Sequence, residues 1–277
     1  MITIKPDWWK TLFDETYLIT DARTVCDNEV TCREVDFLER VLSLEKSSPI
    51  LDLCGGHGRH SLELSRRGFK DVTVLDYSSF LINLGREKAK RQGLKTQFVQ
   101  RDARDTGVPD QRYRFIIIMA NSFGYFLDEK EDQEILREAF RLLIPESLLL
   151  LDLPNREYAL EHFSPQSWHE AGDDILVCRQ RTLIKDMILG REMVISKENG
   201  LIRDETYCTR LYSHERISEV LSSVGFSSIS VHKDFVSHKK KSDYGFMTNR
   251  MMVIAQRPLS RKKLPGLTRI STRFADR

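Results

Sequence analysis

The sequence predicts an α/β fold: a mostly parallel sheet with helices on both faces, plus a small inserted antiparallel β lobe. Three observations predict it. Short apolar runs alternate with amphipathic stretches from residue 49 to about 150. The pattern over 174–212 changes to alternating runs around an Asn-Gly pair. From Ser213 the first pattern resumes. Strands separated by helical stretches must be joined by crossovers, which favour parallel pairing and bury both sheet faces.

The elements follow in order. A strand over 50–54 ends in a glycine cluster, and a helix over 58–67 follows. Next come a strand over 71–75, a helix over 78–91 and a strand over 96–100. A buried strand over 115–119, a helix over 130–143 and a strand over 148–153 complete the first αβ series. The runs Ile175-Leu-Val-Cys-Arg and Arg191-Glu-Met-Val-Ile-Ser, with Asn199-Gly200 and a run over 206–212, read as hairpins, because Asn-Gly suits the tight turn. Ser213 then starts a helix over 215–224 and Gly225 stops it. Strands over 228–231 and 250–255 follow, and Pro258 ends the fold. The aromatic, amphipathic run Trp8 to Tyr17 reads as a helix packed on the body, or as a lid.

Composition bounds the function. The chain has 277 residues, 40% hydrophobic and 30% charged, with 14 Phe, 8 Tyr and 3 Trp, ample material for a packed core. The longest apolar runs, at Phe115 and Leu148, fall far short of the roughly 20 residues a bilayer needs. The N-terminus has no basic flank before an apolar stretch, so no secretory signal is expected. The cysteines Cys26, Cys32, Cys54, Cys178 and Cys208 are odd in number and lack C-x-x-C spacing, which fits free thiols in a cytoplasmic protein. No metal site is expected, since His57 and His60, a close pair, sit within the glycine loop. Net charge is +2, yet 260–277 carries six basic residues against Asp276 alone. The body is therefore mildly acidic, which argues against a nucleic-acid-binding face. The tail reads as solvated, with a docking arm for RNA or an acidic partner as the alternative.

The decisive segment is Ile50-Leu-Asp-Leu-Cys-Gly-Gly-His-Gly-Arg-His. A strand delivers Asp52, and Gly55, Gly56 and Gly58 turn the chain into a helix. Glycines let a backbone approach a ligand closely, and the helix start presents free N–H groups. Dinucleotide enzymes use nearly the same device. Asp76 ends the next strand, where a carboxylate can accept from a ribose diol. Asp102-Ala103 follows the third strand, suited to an adenine edge, and Asn121 follows the fourth. All lie at the carboxyl ends of parallel strands, where open α/β sheets bind ligands.

These residues resemble class I S-adenosylmethionine (SAM)-dependent methyltransferases. An acid on the strand entering the loop is the family's habit, whereas NAD folds show G-x-G-x-x-G without it. The resemblance extends to a bacterial small-molecule type through DLCGGHGRHSLELSRRG, NSFGYF, DLPNREYALEHFSPQSW and RLYSHERISEVLSSVGF, with an antiparallel insert after the fifth strand. It covers about residues 30–257, with Cys54 standing at the family's first glycine. It implies a Rossmann-like seven-stranded sheet, SAM as cofactor and S-adenosylhomocysteine as product. The implied cofactor contacts are Tyr17, Asp52, Gly55, Gly56, Gly58, Arg59, Asp76, Tyr77, Asp102, Ala103 and Asn121.

The expected organisation is an N-terminal helical lid (1–48), a SAM-binding core (49–173 and 213–257), an inserted lobe covering the acceptor (174–212) and a basic tail (258–277). The expected reaction is methyl transfer to nitrogen, or oxygen, of a small molecule by a cytoplasmic monomer or homodimer. The rim Asn121 to Tyr125 and the region Asp152 to Asn155 should border the acceptor. His169, His214 and Tyr125 are the candidate catalytic residues, and the absence of an evident base tilts the choice toward nitrogen. The alternatives are an RNA or protein methyltransferase docked by the tail, a SAM-binding protein without turnover and, more distantly, an NAD oxidoreductase.

Overall fold

A computed structural model of the chain describes residues 2–238 and 245–259. The basic residues of 260–277, expected as a solvated tail with a docking arm as the alternative, lie outside the described residues. The chain opens with a 3-10 turn at Trp8–Lys10, then α1 (Glu15–Thr20), α2 (Ala22–Val25) and α3 (Asn28–Leu42). The alternating series runs β1 (Ile50–Leu53), α4 (Arg59–Arg66), β2 (Val72–Asp76), α5 (Ser79–Arg91), β3 (Gln97–Gln100), β4 (Tyr113–Ile118), α6 (Glu129–Leu142) and β5 (Leu143–Pro154). After α7 (Arg156–Glu161) come β6 (Gln166–Ala171), β7 (Ile175–Ile184), β8 (Met187–Ser196) and β9 (Gly200–Arg210). Then follow α8 (His214–Val224), β10 (Ser227–Phe235), a 3-10 turn at Gly245–Met247 and β11 (Arg250–Gln256).

Seven strands form one sheet in the order β10-β11-β5-β4-β1-β2-β3, with β11 antiparallel to both neighbours and the other pairs parallel. This is the expected Rossmann-like arrangement, and its central strands are buried on both faces. Leu51, Leu53, Leu75, Ile116 and Ile118 pack on one side with Leu136 and Ala139 of α6 and Ile217 and Leu221 of α8. Ile50, Val72, Phe115 and Ile117 pack on the other with Val35 and Leu38 of α3 and Leu64 of α4. Two covered faces explain why these strands read as unbroken apolar runs. Among the described residues, no helix is long and apolar enough to cross a membrane.

A second, four-stranded antiparallel sheet runs β6-β7-β8-β9. It starts at Gln166, earlier than the expected 174. β6 is an edge strand of sequence QSWHEA, alternating exposed and half-buried, so it lacks the apolar face that announces a strand. The expected helix from Trp8 to Tyr17 is instead broken. Asp14 accepts a hydrogen bond from the Tyr17 backbone N–H (3.2 Å) and starts α1 as its N-cap. Within the span 1–48 expected as a lid, α3 packs into the core through Val35, Phe37, Leu38 and Leu42.

One cluster ties these layers together. Glu34 of α3, fully buried, is ion-paired to Arg59 of α4 and to Arg250 of β11, and bonds His60 Nε2 at 2.8 Å. Arg250, also fully buried, is paired to Asp152 of β5 and donates to Ser237 Oγ (3.0 Å). Burial pushes the His60 imidazole down to about 4, so it sits neutral, and two cations face two carboxylates. Breaking such a buried set strands the remaining charges. Glu34→Gln is therefore expected to cost about 3–5 kcal/mol in denaturant unfolding. Glu87→Gln, which removes an exposed α5 pair with Arg91, should stay within about 0.5 kcal/mol. Equal losses from the two would contradict a structural role for the cluster.

Candidate active site

The carboxyl ends of β1, β2, β3 and β4 converge on a cleft whose space, counted out to open solvent, is about 1020 Å³. Its wall includes Tyr17, Asp52, Gly55, Gly56, Arg59, Asp76, Tyr77, Asp102 and Ala103. Asp52 is fully buried; one carboxylate oxygen accepts from Ser61 Oγ (2.8 Å) and the other has no partner. Burial, helped by the nearby Asp76 charge and opposed by Ser61 and Arg59, pushes this carboxyl up to about 7. A Cβ at Gly55 would lie 2.6 Å from Asp52 Cγ, so only glycine lets the loop close over this carboxylate.

Arg59, at the start of α4, is held by Glu34 and by Thr31 Oγ1 (3.0 Å), while its Nη2 is buried and unpartnered. The cleft wall thus carries an unsatisfied carboxylate oxygen and an unsatisfied guanidinium nitrogen. Asp76 accepts from the backbone N–H of Gly56 and of Ser78, both at 2.8 Å, which ties the glycine loop to β2. Each oxygen of a carboxylate keeps a further acceptor site for a ligand.

An aromatic slot lies beyond Asp76. Tyr77 packs edge-on to Trp9 (4.8 Å between centroids), Trp9 to Phe126 (5.6 Å), and the Arg104 guanidinium lies over both Trp9 and Phe126. Asp102 holds Arg104 through an ion pair at 2.6 Å and accepts from its backbone N–H at 2.9 Å. Burial alone would raise the Asp102 carboxyl, but these Arg104 contacts hold it below its usual value. Sequence reasoning missed Trp9, Arg104 and Phe126 as a group. The available signal was Arg104 beside Asp102-Ala103, but its partners come from distant chain positions.

A second cavity of about 850 Å³ adjoins the first, with Phe13, Tyr17, Val25, Ala120 and Tyr125 on both walls. Its far wall is the inner face of the antiparallel sheet: Arg179 and Arg181 of β7, Glu192 of β8, and Arg203, Tyr207 and Thr209 of β9. Asn121 lines this second cavity, not the first, and its buried Oδ1 is unpartnered. Trp8 closes the space between the sheets, donating from Nε1 to the Tyr125 carbonyl (3.2 Å).

Other candidates stand elsewhere. Gly58 faces Val74 and Phe98, each 2.9 Å from where its Cβ would be, and serves as the left-handed N-cap of α4. His169 lines a separate pocket and bonds the Thr20 carbonyl (3.2 Å) through Nε2. His214, the first residue of α8, lines neither cavity; its Nε2 lies 2.9 Å from Glu215. Tyr125 lines both cavities, stacked on Phe13 (5.7 Å), but burial pushes its hydroxyl well above the usual range. It stays protonated at neutral pH and is no base. Among the described residues, no His, Cys, Asp and Glu gather as a metal site.

The raised Asp52 carboxyl has a consequence for the ligand-free protein. A carboxyl whose folded value lies above its unfolded value binds protons better when folded. Its stabilising contribution is full below about pH 4 and is lost as pH rises through about 7. Wild-type stability should therefore fall relative to Asp52→Asn between pH 4.5 and 8, read by urea unfolding at several pH values. Parallel curves would show that Asp52 does not titrate in this window.

Comparison with known proteins agrees with this geometry. Residues 50–146 match a family described as a methyltransferase domain. The glycine/sarcosine N-methyltransferase of Halorhodospira halochloris is 27% identical over 225 residues, covering 77% of this chain and 78% of its own. The ubiquinone/menaquinone biosynthesis C-methyltransferase UbiE of Erwinia tasmaniensis is 26% identical over 195 residues, covering 68% and 70%. In fold, the chain is similar to a crystal structure of a SAM-dependent methyltransferase from Clostridium acetobutylicum, with TM-score 0.68 at 17% identity, covering 88% of this chain and 97% of the other. The acid before the glycine loop and the strand ends that form the cleft lie within the matched residues 50–146, which carry a methyltransferase domain, and the chain as a whole has the fold of that SAM-dependent methyltransferase.

Proposed function

We propose that this methyltransferase alkylates a nitrogen atom of a small acceptor held in the second cavity, with SAM in the first. The observation that carries the reading is the pair of buried, unpartnered groups on the first wall, Asp52 Oδ1 and Arg59 Nη2. An orphaned acceptor and an orphaned donor fit the ammonium and carboxylate of an amino-acid end. In this assignment the backbone of Gly55 and Gly56 lies along the ligand, Asp76 accepts from the ribose hydroxyls, and Tyr77, Asp102 and Ala103 border the adenine. Tyr17 stands beside the methionine portion. Gly58 supports the loop from behind.

SAM, when bound, supplies a methyl group on a positively charged sulfur, so the protein's task is orientation and exclusion of water. The N-terminal segment roofs the cleft through Trp8 and Trp9, and the antiparallel sheet covers the acceptor side. An amine needs only a neutral lone pair, whereas a hydroxyl acceptor benefits from a base. With His169 and His214 off the walls and Tyr125 protonated, nitrogen is favoured. The unpartnered Asn121 Oδ1 is available to accept an N–H from that amine. A walled cavity suits a small metabolite better than a polymer, and five free cysteines fit a cytoplasmic setting.

Incubation with SAM and a panel of small amines and alcohols should release S-adenosylhomocysteine with amines; release with alcohols alone would overturn the nitrogen assignment. Asp76→Asn should weaken S-adenosylhomocysteine binding by about 1.5–3 kcal/mol, the scale of charged hydrogen bonds lost. Calorimetry showing unchanged affinity would remove Asp76 from the ribose site.

A further inference from the structure

The second cavity is charged, and its charges do not all cancel internally. Among its described lining residues, three arginines face two carboxylates, Asp21 and Glu192. Arg179 is satisfied by Glu192 (2.7 Å) and Asp21 (3.0 Å). Arg203 has its charge paired by Glu192 (2.5 Å) and Asp14 (2.9 Å) and donates to the Leu12 carbonyl (3.1 Å), though its buried Nε has no partner. Arg181 has no carboxylate among the described residues. Its Nε donates to the Tyr207 hydroxyl (3.4 Å), which is on the wall of this cavity, and its Nη1 to Ser167 Oγ (3.1 Å), on the wall of the neighbouring pocket that Arg181 also lines; both partners are neutral.

This arrangement is built rather than incidental. Gly190 pairs with Tyr207 across β8 and β9, and a Cβ there would lie 2.2 Å from Tyr207 Cζ. The missing side chain lets the Tyr207 ring lie flat over the strand, which brings its hydroxyl to Arg181. A half-buried guanidinium without a counterion is costly unless something negative completes it, and its planar fork suits an oxyanion.

We propose that Arg181 docks an oxyanion carried by the acceptor, so that the methyl acceptor is a small acid rather than a neutral amine or alcohol. The proposal rests on the second cavity being the acceptor site. The anionic end lies at Arg181 on β7, and the amine lies toward Asn121 on the side that adjoins the first cavity. Carboxylate and phosphate share the required chemistry.

The test uses the full chain saturated with S-adenosylhomocysteine. Saturation is first verified by calorimetry, so that failure of cofactor binding is seen separately. Arginine side chains are then followed by ¹⁵N NMR while sodium acetate or sodium phosphate is added at constant ionic strength. The expected result is a saturable shift of the Arg181 Nε signal, with midpoint on the order of 1–10 mM. Arg179 and Arg203 should move little. Saturable backbone shifts along β7 and β8 should become linear in Arg181→Gln, whose dispersed amide spectrum establishes that it is folded. The anion with the lower midpoint identifies the acid as carboxylic or phosphoric. Non-saturating shifts with both anions, or saturable shifts persisting in Arg181→Gln, would overturn the proposal while leaving the cofactor site intact. The neutral alternative, an uncharged amine as acceptor, would then stand.

Discussion

Two arginines and two carboxylates share a space from which water is excluded, and the site is arranged around them. Glu34, Arg59, Asp152 and Arg250 come from a helix before the sheet, the helix after the glycine loop, the fifth strand and the last strand. Burial of each charge alone would cost several kcal/mol, so each is tolerable only with the others in place. The cluster therefore makes the position of α4 depend on α3 and on β11, elements more than 200 residues apart in sequence.

That dependence reaches the cleft. Arg59 spends one end of its guanidinium on Glu34 and Thr31 and presents the other to the cleft. Asp152 takes the Arg250 guanidinium and also accepts from the Ala120 N–H (2.7 Å). Ala120 and Asn121 both have positive φ, 56° and 59°, an uncommon conformation for residues with side chains. Strain of this kind persists where the surroundings over-determine it. Here the Asp152 contact holds the turn that places Asn121 in one cavity and Tyr125 between both. The walls of both cavities are thus set by one buried group of charges.

The sheet was legible because its strands are buried on two faces and its helices on one. The strand-end positions of Asp52, Asp76 and Asp102 were legible for the same reason, since an acid directly after an apolar run has few other places to go. What was hidden depends on distant pairing. The Trp9–Phe126–Arg104 stack joins a segment before the first strand to two later loops, and the Glu34–Arg250 pair spans 216 positions. β6 was missed because an edge strand can carry polar residues on both faces. His169 and His214 were singled out by nearness to loops, which says nothing about which way a side chain turns. Gly58 looked like a ligand contact, yet Phe98 and Val74 explain it by packing.

The central claim is that Asp52 and Arg59 together hold an amino-acid end. It is tested most directly by comparing the affinities of S-adenosylhomocysteine and 5′-methylthioadenosine, which keeps the nucleoside but lacks that end. Two charge-assisted contacts at about 1.5–3 kcal/mol each predict that S-adenosylhomocysteine binds at least a hundredfold more tightly. Equal affinities would mean that the two unpartnered groups are not where the ligand is held.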